Sequence, residues 1–580
     1  MSRSLMWSPR LAALVASAAI VFAACGGTTA SVEPSAASAA PTTAPESAAP
    51  FEAMVYPETG EAPCGTDPYT GNFKKISATD AQTVVFDLCN PDVAFLSKIA
   101  FEAFGINDTA WLESKVDPSK ADNQAIVSEV NGTGAYKLSA WNRGTNITMT
   151  RNDAYWGEAA KAETLIFQWS TEATARLNDL RAGVVDGIDN IGATDFASVE
   201  GDATLQLKPR TGLNVMYFGF NNTYAPFDNE QVRQAIAMGI DRQRLVDDFM
   251  PPGSEVASHF TPCSIPNACA GDSWYEFDVA KAKEMLAAAG FPDGFATKIQ
   301  YRDVSRSYVQ DQNVIAAALQ QQLKTNLNID ATIEVQESGT FIDNSDVGKL
   351  DGIHILGWGA DYPDMTNFLD YHFGGGSSQQ FGDKHADLTE VLATGSQGLD
   401  DASREPSYVT ANNLIKQHVP MIPISHAGSG VAYQADVADA HSSPLNNEQF
   451  APMTPGDRSQ FVWLQNAEPI GLYCADETDG ESLRACEQMM DGLYGYEAAG
   501  VAAIPALAEK CEPNPELTTW TCTLRSGVTF HDGATLDAND VVLSYAAQWD
   551  AAHPLHKGRD NSFTYFPGLF GGFLNPPPAE

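Results

Sequence analysis

The run Ile353 to Leu356 is largely apolar and gives way at once to Gly357-Trp-Gly-Ala-Asp-Tyr-Pro-Asp364. No other stretch constrains the fold as tightly. Too short for a helix and closed by turn-forming residues, it predicts a buried strand that empties into a loop. In open α/β sheets, ligands sit at strand exits of this kind. Trp358 offers a flat apolar wall and Asp361 a fixed negative charge, while Gly357 and Gly359 let the backbone approach something bound. The same residues also read as a plain strand end whose Asp only closes a turn.

The rest of the chain supplies neighbours for that strand. Thr83 to Leu88 is β-branched and apolar, and Ile147 to Thr150 alternates as a strand does. Thr171 is placed to cap a helix over 172–182 that Gly183 ends, with Arg176 and Arg181 outward and Leu177 and Leu180 inward. Asp228 and Gln231 fit a capping box for a helix burying Val232, Ile236 and Ile240. Asp278 caps a further helix that ends at Gly290. Strand 298–301, helix 308–325 and strand 331–335 then lead to the Ile353 strand, an alternation that suits an α/β lobe. A chain of 580 residues exceeds one core, so two or three folding units are expected.

Acidic residues outnumber basic ones by 74 to 34, a formal charge of −40. Nucleic acid and anionic membrane surfaces would be repelled by the long-range field and are poor partners. A cationic ligand would be attracted, although dispersed acids also serve simply as a solvated surface. Arg3 and Arg10 precede an apolar run from Leu11 to Ala24, which reads as an export signal over 1–24. Val21-Phe-Ala-Ala-Cys25-Gly26 resembles a bacterial lipobox, in which the Cys takes a lipid anchor, and 25–50 is a Ser/Thr/Ala/Pro tether. An ordinary signal peptide with an incidental Cys25 is the other reading. Both place the folded body outside the cytoplasm, and lipidation would hold it at the outer face of the membrane.

Setting Cys25 aside leaves Cys64, Cys89, Cys263, Cys269, Cys474, Cys486, Cys511 and Cys522, an even set that suits an oxidising compartment. Pairing by neighbours is the plainest arrangement. Local geometry argues for one pair, because Cys511 and Cys522 flank the turn Pro513-Asn-Pro-Glu516 between strand-like runs. No C-x-x-C is present and no His stands at ligand spacing beside these cysteines, so neither metal nor cofactor is expected. Enzyme motifs are also missing: there is no G-x-S-x-G, H-E-x-x-H, Walker loop or G-x-G-x-x-G. His531-Asp532 is the one pair with a catalytic look, and Gly533 after it favours a turn.

Segments spread over the chain carry a family likeness. Gly357 to Asp364, Gly132-Thr-Gly-Ala-Tyr-Lys-Leu138, Arg151-Asn-Asp-Ala-Tyr-Trp-Gly157, Phe220-Asn-Asn222, Pro226 to Ala235, Asp241-Arg242, Asp278 to Gly290 and Leu524-Arg-Ser-Gly-Val-Thr-Phe-His-Asp-Gly533 resemble the family 5 extracytoplasmic solute-binding proteins, the peptide/nickel-type receptors of ABC importers. Their order departs from that family. Residues 461–575 resemble its N-terminal part yet come last here, so the chain looks circularly permuted, which surface termini lying close together would tolerate. A misassembled gene would give the same order.

The resemblance implies a type II periplasmic-binding-protein-like α/β fold, two lobes about a cleft with an extra β-rich subdomain. It places the first lobe and part of the subdomain in 51–213, the second lobe with the ligand loop in 214–430, and the return to the first lobe in 431–580. It further implies a monomeric receptor that closes on a peptide or similar solute and docks with a membrane permease. Trp358, Gly359, Ala360, Asp361 and Tyr362 would hold the ligand, Asp361 by pairing with an α-ammonium group and the backbone of 359–362 by strand-like hydrogen bonds. An exported lipoprotein hydrolase and a sensor uncoupled from import are the rival functions.

Overall fold

The computed structural model describes residues 51–576 apart from 121, 122 and 303. The signal, the tether and Cys25 lie outside the described residues. No described helix is long and apolar enough to cross a membrane.

Three sheets organise the body. The first has seven strands in the order Tyr136–Asn142, Asn146–Arg151, Thr164–Trp169, Gln460–Gln465, Gly187–Ile188, Ser429–Gln434 and Leu205–Arg210. The second has six: Glu255–Val256, Met421–His426, Asn214–Gly219, Ile353–Gly359, Ala296–Arg302 and Asp330–Gln336. The third is an antiparallel sheet of Val55–Tyr56, Phe73–Asp80, Thr83–Leu88, Thr519–Leu524 and Ala508–Pro513.

Their sequences explain their places. Asn214–Gly219 is buried at every position, as a strand covered on both faces must be. Thr83–Leu88 instead alternates buried and half-buried residues and turns one face to its core. Helix Gln312–Leu327 presents Ile315, Leu319, Leu323 and Leu327 at helical spacing to the second sheet's core; Asp311 caps its start and Asn328, at φ 56°, its end.

Two linkers join the first and second sheets, one from Arg210 to Asn214 and one from His426 to Ser429. Asn214 staples them together. Its Nδ2 donates to Ala427 O at 2.8 Å, its Oδ1 accepts from Ala427 N at 2.8 Å, and the His426 ring bonds its carbonyl at 2.7 Å.

The last part of the chain is woven into the first. Gln460–Gln465 lies inside the seven-stranded sheet, parallel to Thr164–Trp169 and Gly187–Ile188. Thr519–Leu524 pairs with Thr83–Leu88, and Phe570 stacks on Phe73 with ring centroids 4.6 Å apart. Asn72 N donates to Phe570 O at 2.6 Å. The segments that the family likeness would make consecutive therefore meet in space.

Local expectations needed several corrections. The helix after Ser170 runs Ala173–Arg181 with Glu172 at its cap, not Thr171, and Arg176 is buried. Its guanidinium donates to the carbonyls of Ser170, Thr171, Asp189 and Asn190, which a spacing argument counts as an outward position. Asn229, not Asp228, caps Glu230–Gly239, because its side chain reaches Gln231 N at 2.9 Å. The Ile353 strand continues through Gly359, paired in register with Asn214, so Gly357 and Gly359 belong to the strand and not to the loop. All eight described cysteines pair by neighbours: 64–89, 263–269, 474–486 and 511–522.

Candidate ligand-binding site

The strand Ile353–Gly359 delivers its exit loop to a cavity of about 890 Å³. One wall comes from this loop and the turns after it, the opposite wall from residues such as Lys98, Thr478, Tyr565 and Phe570.

Trp358 stacks on Tyr371 with centroids 4.1 Å apart and meets His372 edge-on at 5.1 Å. Its Nε1 donates to Asn367 Oδ1 at 3.2 Å. That oxygen also accepts Asp361 N at 3.0 Å, and Asn367 Nδ2 donates to Asp361 Oδ2 at 2.8 Å. A single buried Asn thus fixes the indole and the carboxylate together. Behind it, Asp364 accepts both guanidinium nitrogens of buried Arg404 at 2.7 Å each, anchoring the loop to helix Asp401–His418.

No cation pairs with Asp361 among the described residues. Burial pushes its carboxyl up to about 7, against hydrogen bonds from Asn367 and Tyr565 that favour the charged form. The cavity also carries Arg302 and Arg306. Arg302 donates to Ser338 Oγ at 3.1 Å and to the Tyr308 hydroxyl at 3.4 Å, and Arg306 to Ser305 O at 3.0 Å. Neither forms an ion pair with another described residue. Lys98, by contrast, is taken up by Asp92 at 2.7 Å. The wall thus offers a negative group and positive ones not already spent on each other.

Of the residues expected to hold a ligand, Trp358, Gly359, Asp361 and Tyr362 line the cavity and Ala360 does not. Ala360 faces the core and gives its N–H to Leu213 O at 2.8 Å. The expected row of strand-like bonds from 359–362 loses that donor, and the Asp361 N–H as well. Tyr362 is buried, its ring packed with the core of the five-stranded sheet and 5.7 Å from Lys98 Nζ. Gly357 serves packing rather than ligand approach: a Cβ there would come within 2.3 Å of the Tyr308 ring. Gly359 faces open space. Asn367, Arg302, Arg306 and Tyr371 carry no motif of their own; only the Asn's place in the turn after the loop hinted at a role.

His531 and Asp532 make no catalytic pair. The His531 ring bonds Gly134 O at 3.1 Å, and Asp532 closes its own turn onto Ala534 N at 2.9 Å. Contrary to the expectation from spacing, His259 stands beside Cys263 and Cys269, its ligand nitrogen within 4.8 Å of both sulfurs. Those sulfurs are joined in a disulfide and so are not the thiolates a zinc site needs.

Comparison with known proteins adds four findings. The family model for bacterial extracellular solute-binding proteins, family 5 Middle, matches residues 36–380 and 502–562. Di/tripeptide-binding protein 1 of Pseudomonas aeruginosa is 27% identical over 394 residues, 66% of this chain and 72% of the relative. Among solved structures, HbpA2 from Haemophilus parasuis superposes with a TM-score of 0.57 at 25% identity, over 66% of this chain and 76% of that one. A dipeptide-binding protein from Pseudoalteromonas sp. SM9913 in complex with Met-Leu gives 0.59 at 24% identity over the same shares, a likeness of fold.

Proposed function

Because the chain belongs to the family 5 bacterial extracellular solute-binding proteins, we propose that it is the receptor of an ABC importer and captures short peptides between its lobes. One observation carries the reading. Asp361, clamped by Asn367, shares a cavity with Arg302 and Arg306, and among the described residues none of the three forms an ion pair. A zwitterionic peptide supplies both missing charges, its α-ammonium to Asp361 and its carboxylate to an arginine. The cavity, about 890 Å³, lies in the upper part of the range of small-molecule sites, roughly 300–1,000 Å³. The di/tripeptide-binding relative supports the same ligand class.

In this reading the protein acts as a monomer without catalysis. A lipid on Cys25 and the 25–50 tether hold it outside the cytoplasmic membrane, where it hands the ligand to a permease. The order of segments is a true circular permutation, favoured over a misassembled gene because a signal, lipobox and tether precede the new first segment in register; the pairing of Thr519–Leu524 with Thr83–Leu88 fits either origin.

Calorimetric titration with di- and tripeptides tests the function. Free peptides should bind at one site, and N-acetylated analogues, which lack the ammonium, should bind far more weakly. Equal binding of both forms would remove the role of Asp361. Turnover of the peptides would favour an exported hydrolase instead.

A further inference from the structure

The loop that carries Asp361 continues into a single wide turn of π-helix, Thr366–Asp370, before Tyr371–Phe373. Such turns shift side chains relative to an α-helix and recur at functional sites. Here the turn sets Asp370 on the cavity wall beside Tyr371.

Asp370 is an unusual carboxylate for its place. Among the described residues no other side chain donates to its carboxylate, which is helped only by its own backbone N–H, and its Oδ2 is shut off from water without a partner. Two cations stand near, but both are taken: Lys98 by Asp92 at 2.7 Å and Arg404 by Asp364 at 2.7 Å. The remaining groups about it are the neutral phenols of Tyr362 and Tyr408. Burial and the neighbouring Asp364 charge push the Asp370 carboxyl up to about 8, despite Lys98 and Arg404. Asp346, another acid of the lining without an ion pair among the described residues, is an exposed residue, although partial burial of its carboxyl and the nearby Asp343 still raise it.

Asp370 is half-buried as a residue, but a carboxylate oxygen shut off from water and left without a partner is disfavoured unless something bound completes the group. We infer that Asp370 receives a basic side chain of the bound peptide, making this receptor selective for peptides that carry lysine or arginine. The inference rests on the peptide reading above. Asp361 and the arginines meet the charged ends that every peptide has, whereas Asp370 meets a charge that only some carry. Tyr371, stacked on Trp358, offers an aromatic face for the alkyl stem of such a side chain.

Proton bookkeeping makes the idea testable. In the empty receptor near pH 7 Asp370 holds its proton. An incoming lysine ammonium stabilises the carboxylate, and the displaced proton passes to the buffer while the lysine keeps its own. Asp361 behaves similarly toward the α-ammonium of any peptide, so the difference between a lysine peptide and its uncharged isostere isolates Asp370.

The experiment is calorimetric titration of the whole exported protein with Ala-Lys, Lys-Ala and the norleucine counterparts of both, in buffers of different ionisation enthalpy. At least one lysine peptide should bind about ten- to a hundredfold more tightly than its isostere. It should also release additional protons and gain affinity as pH rises from 6 to 8. In Asp370→Asn the preference and the extra protons should vanish while the norleucine peptides bind as before. Wild-type protein that binds lysine and norleucine peptides alike overturns the inference and leaves the peptide reading standing; so does a preference that survives in Asp370→Asn. Failure of every free peptide to bind the wild type overturns the peptide reading itself, and the inference with it. The wild-type comparison decides the matter even if the variant does not fold.

Discussion

At the scale of single residues, Asp361 is held against its own preference. Its folded carboxyl titrates at about 7 and its ordinary value is 3.8, so the native state binds a proton more tightly than the unfolded chain does. The sign follows: stability of the empty protein falls as pH rises from about 4 to 7 and stays lower above that. Peptide affinity moves the other way, rising through pH 7 as the carboxylate forms. Asp361→Asn keeps the shape and removes the charge. Scanning calorimetry at pH 8 should find the empty variant melting no lower than its parent, and titration should find peptide binding weaker by about two to three orders of magnitude. A clearly lower melting temperature at pH 8 would show that the charge serves the fold. The residues on either side of Asp361 mark how far local pattern reaches. Trp358 and Asp361 were legible because a strand exit rich in glycine announces itself. Asn367 was not, since an Asn in a turn looks the same whether it closes that turn or clamps a loop six residues back. Arg176 misled for a related reason: helical spacing put it outward, but the carbonyls of 170–171 and 189–190 converge on it from other parts of the chain.

Among elements, the loop after strand Ala296–Arg302 forms the clearest bond between the lobes. Gln310 donates to Ile191 O at 3.0 Å and accepts from Ala193 N at 3.0 Å, joining the six-stranded lobe to the stretch that follows Gly187–Ile188 in the seven-stranded one. Both bonds run from one lobe to the other, so opening the cleft there would break them, and they are expected to favour the closed state without contributing to either lobe alone. Gln310→Ala removes them, a loss of roughly 1–3 kcal/mol in the closed form. Peptide affinity should then fall about tenfold or somewhat more, and solution scattering of the empty variant should report a larger radius of gyration than the parent. Unchanged affinity and radius would mean that other contacts hold the cleft. Element types were readable from periodicity, and the alternation through 298–356 gave the second lobe's layering. Boundaries were less so. Strand Ile353–Gly359 outlasts its apolar run because the backbone of Asn214 and Val215 continues the ladder past the point where side chains cease to be apolar.

On the scale of the whole molecule, the two lobes differ in how the chain builds them. Every fully buried residue of the six-stranded lobe's core falls between Leu213 and Ile424, one continuous stretch. The core about the five-stranded sheet instead joins residues 62–106 to residues 474–574. Thr83–Leu88 cannot complete its sheet until Thr519–Leu524 is present, and Phe73 cannot be covered until Phe566 and Phe570 arrive. A chain ending after Gly500 tests this asymmetry. It would leave Thr83–Leu88 with an unpaired edge and the Phe73, Phe86 and Phe95 rings with one another but without Trp520, Tyr545, Phe566 and Phe570, a combination that invites proteolysis and aggregation. The continuous lobe keeps every buried residue of its own core and loses only half-buried Val501 from its edge. Limited proteolysis of the truncated protein should therefore yield a resistant fragment spanning about residues 214–426, identifiable by mass, while residues 51–106 are digested. The full chain under the same conditions should keep both regions, because the late strands and the rings at 566 and 570 close over the early ones. Equal resistance of residues 51–106 with and without the C-terminal stretch would mean that the early strands fold without their late partners, and the pairing between the ends of the chain would then be incidental to its stability.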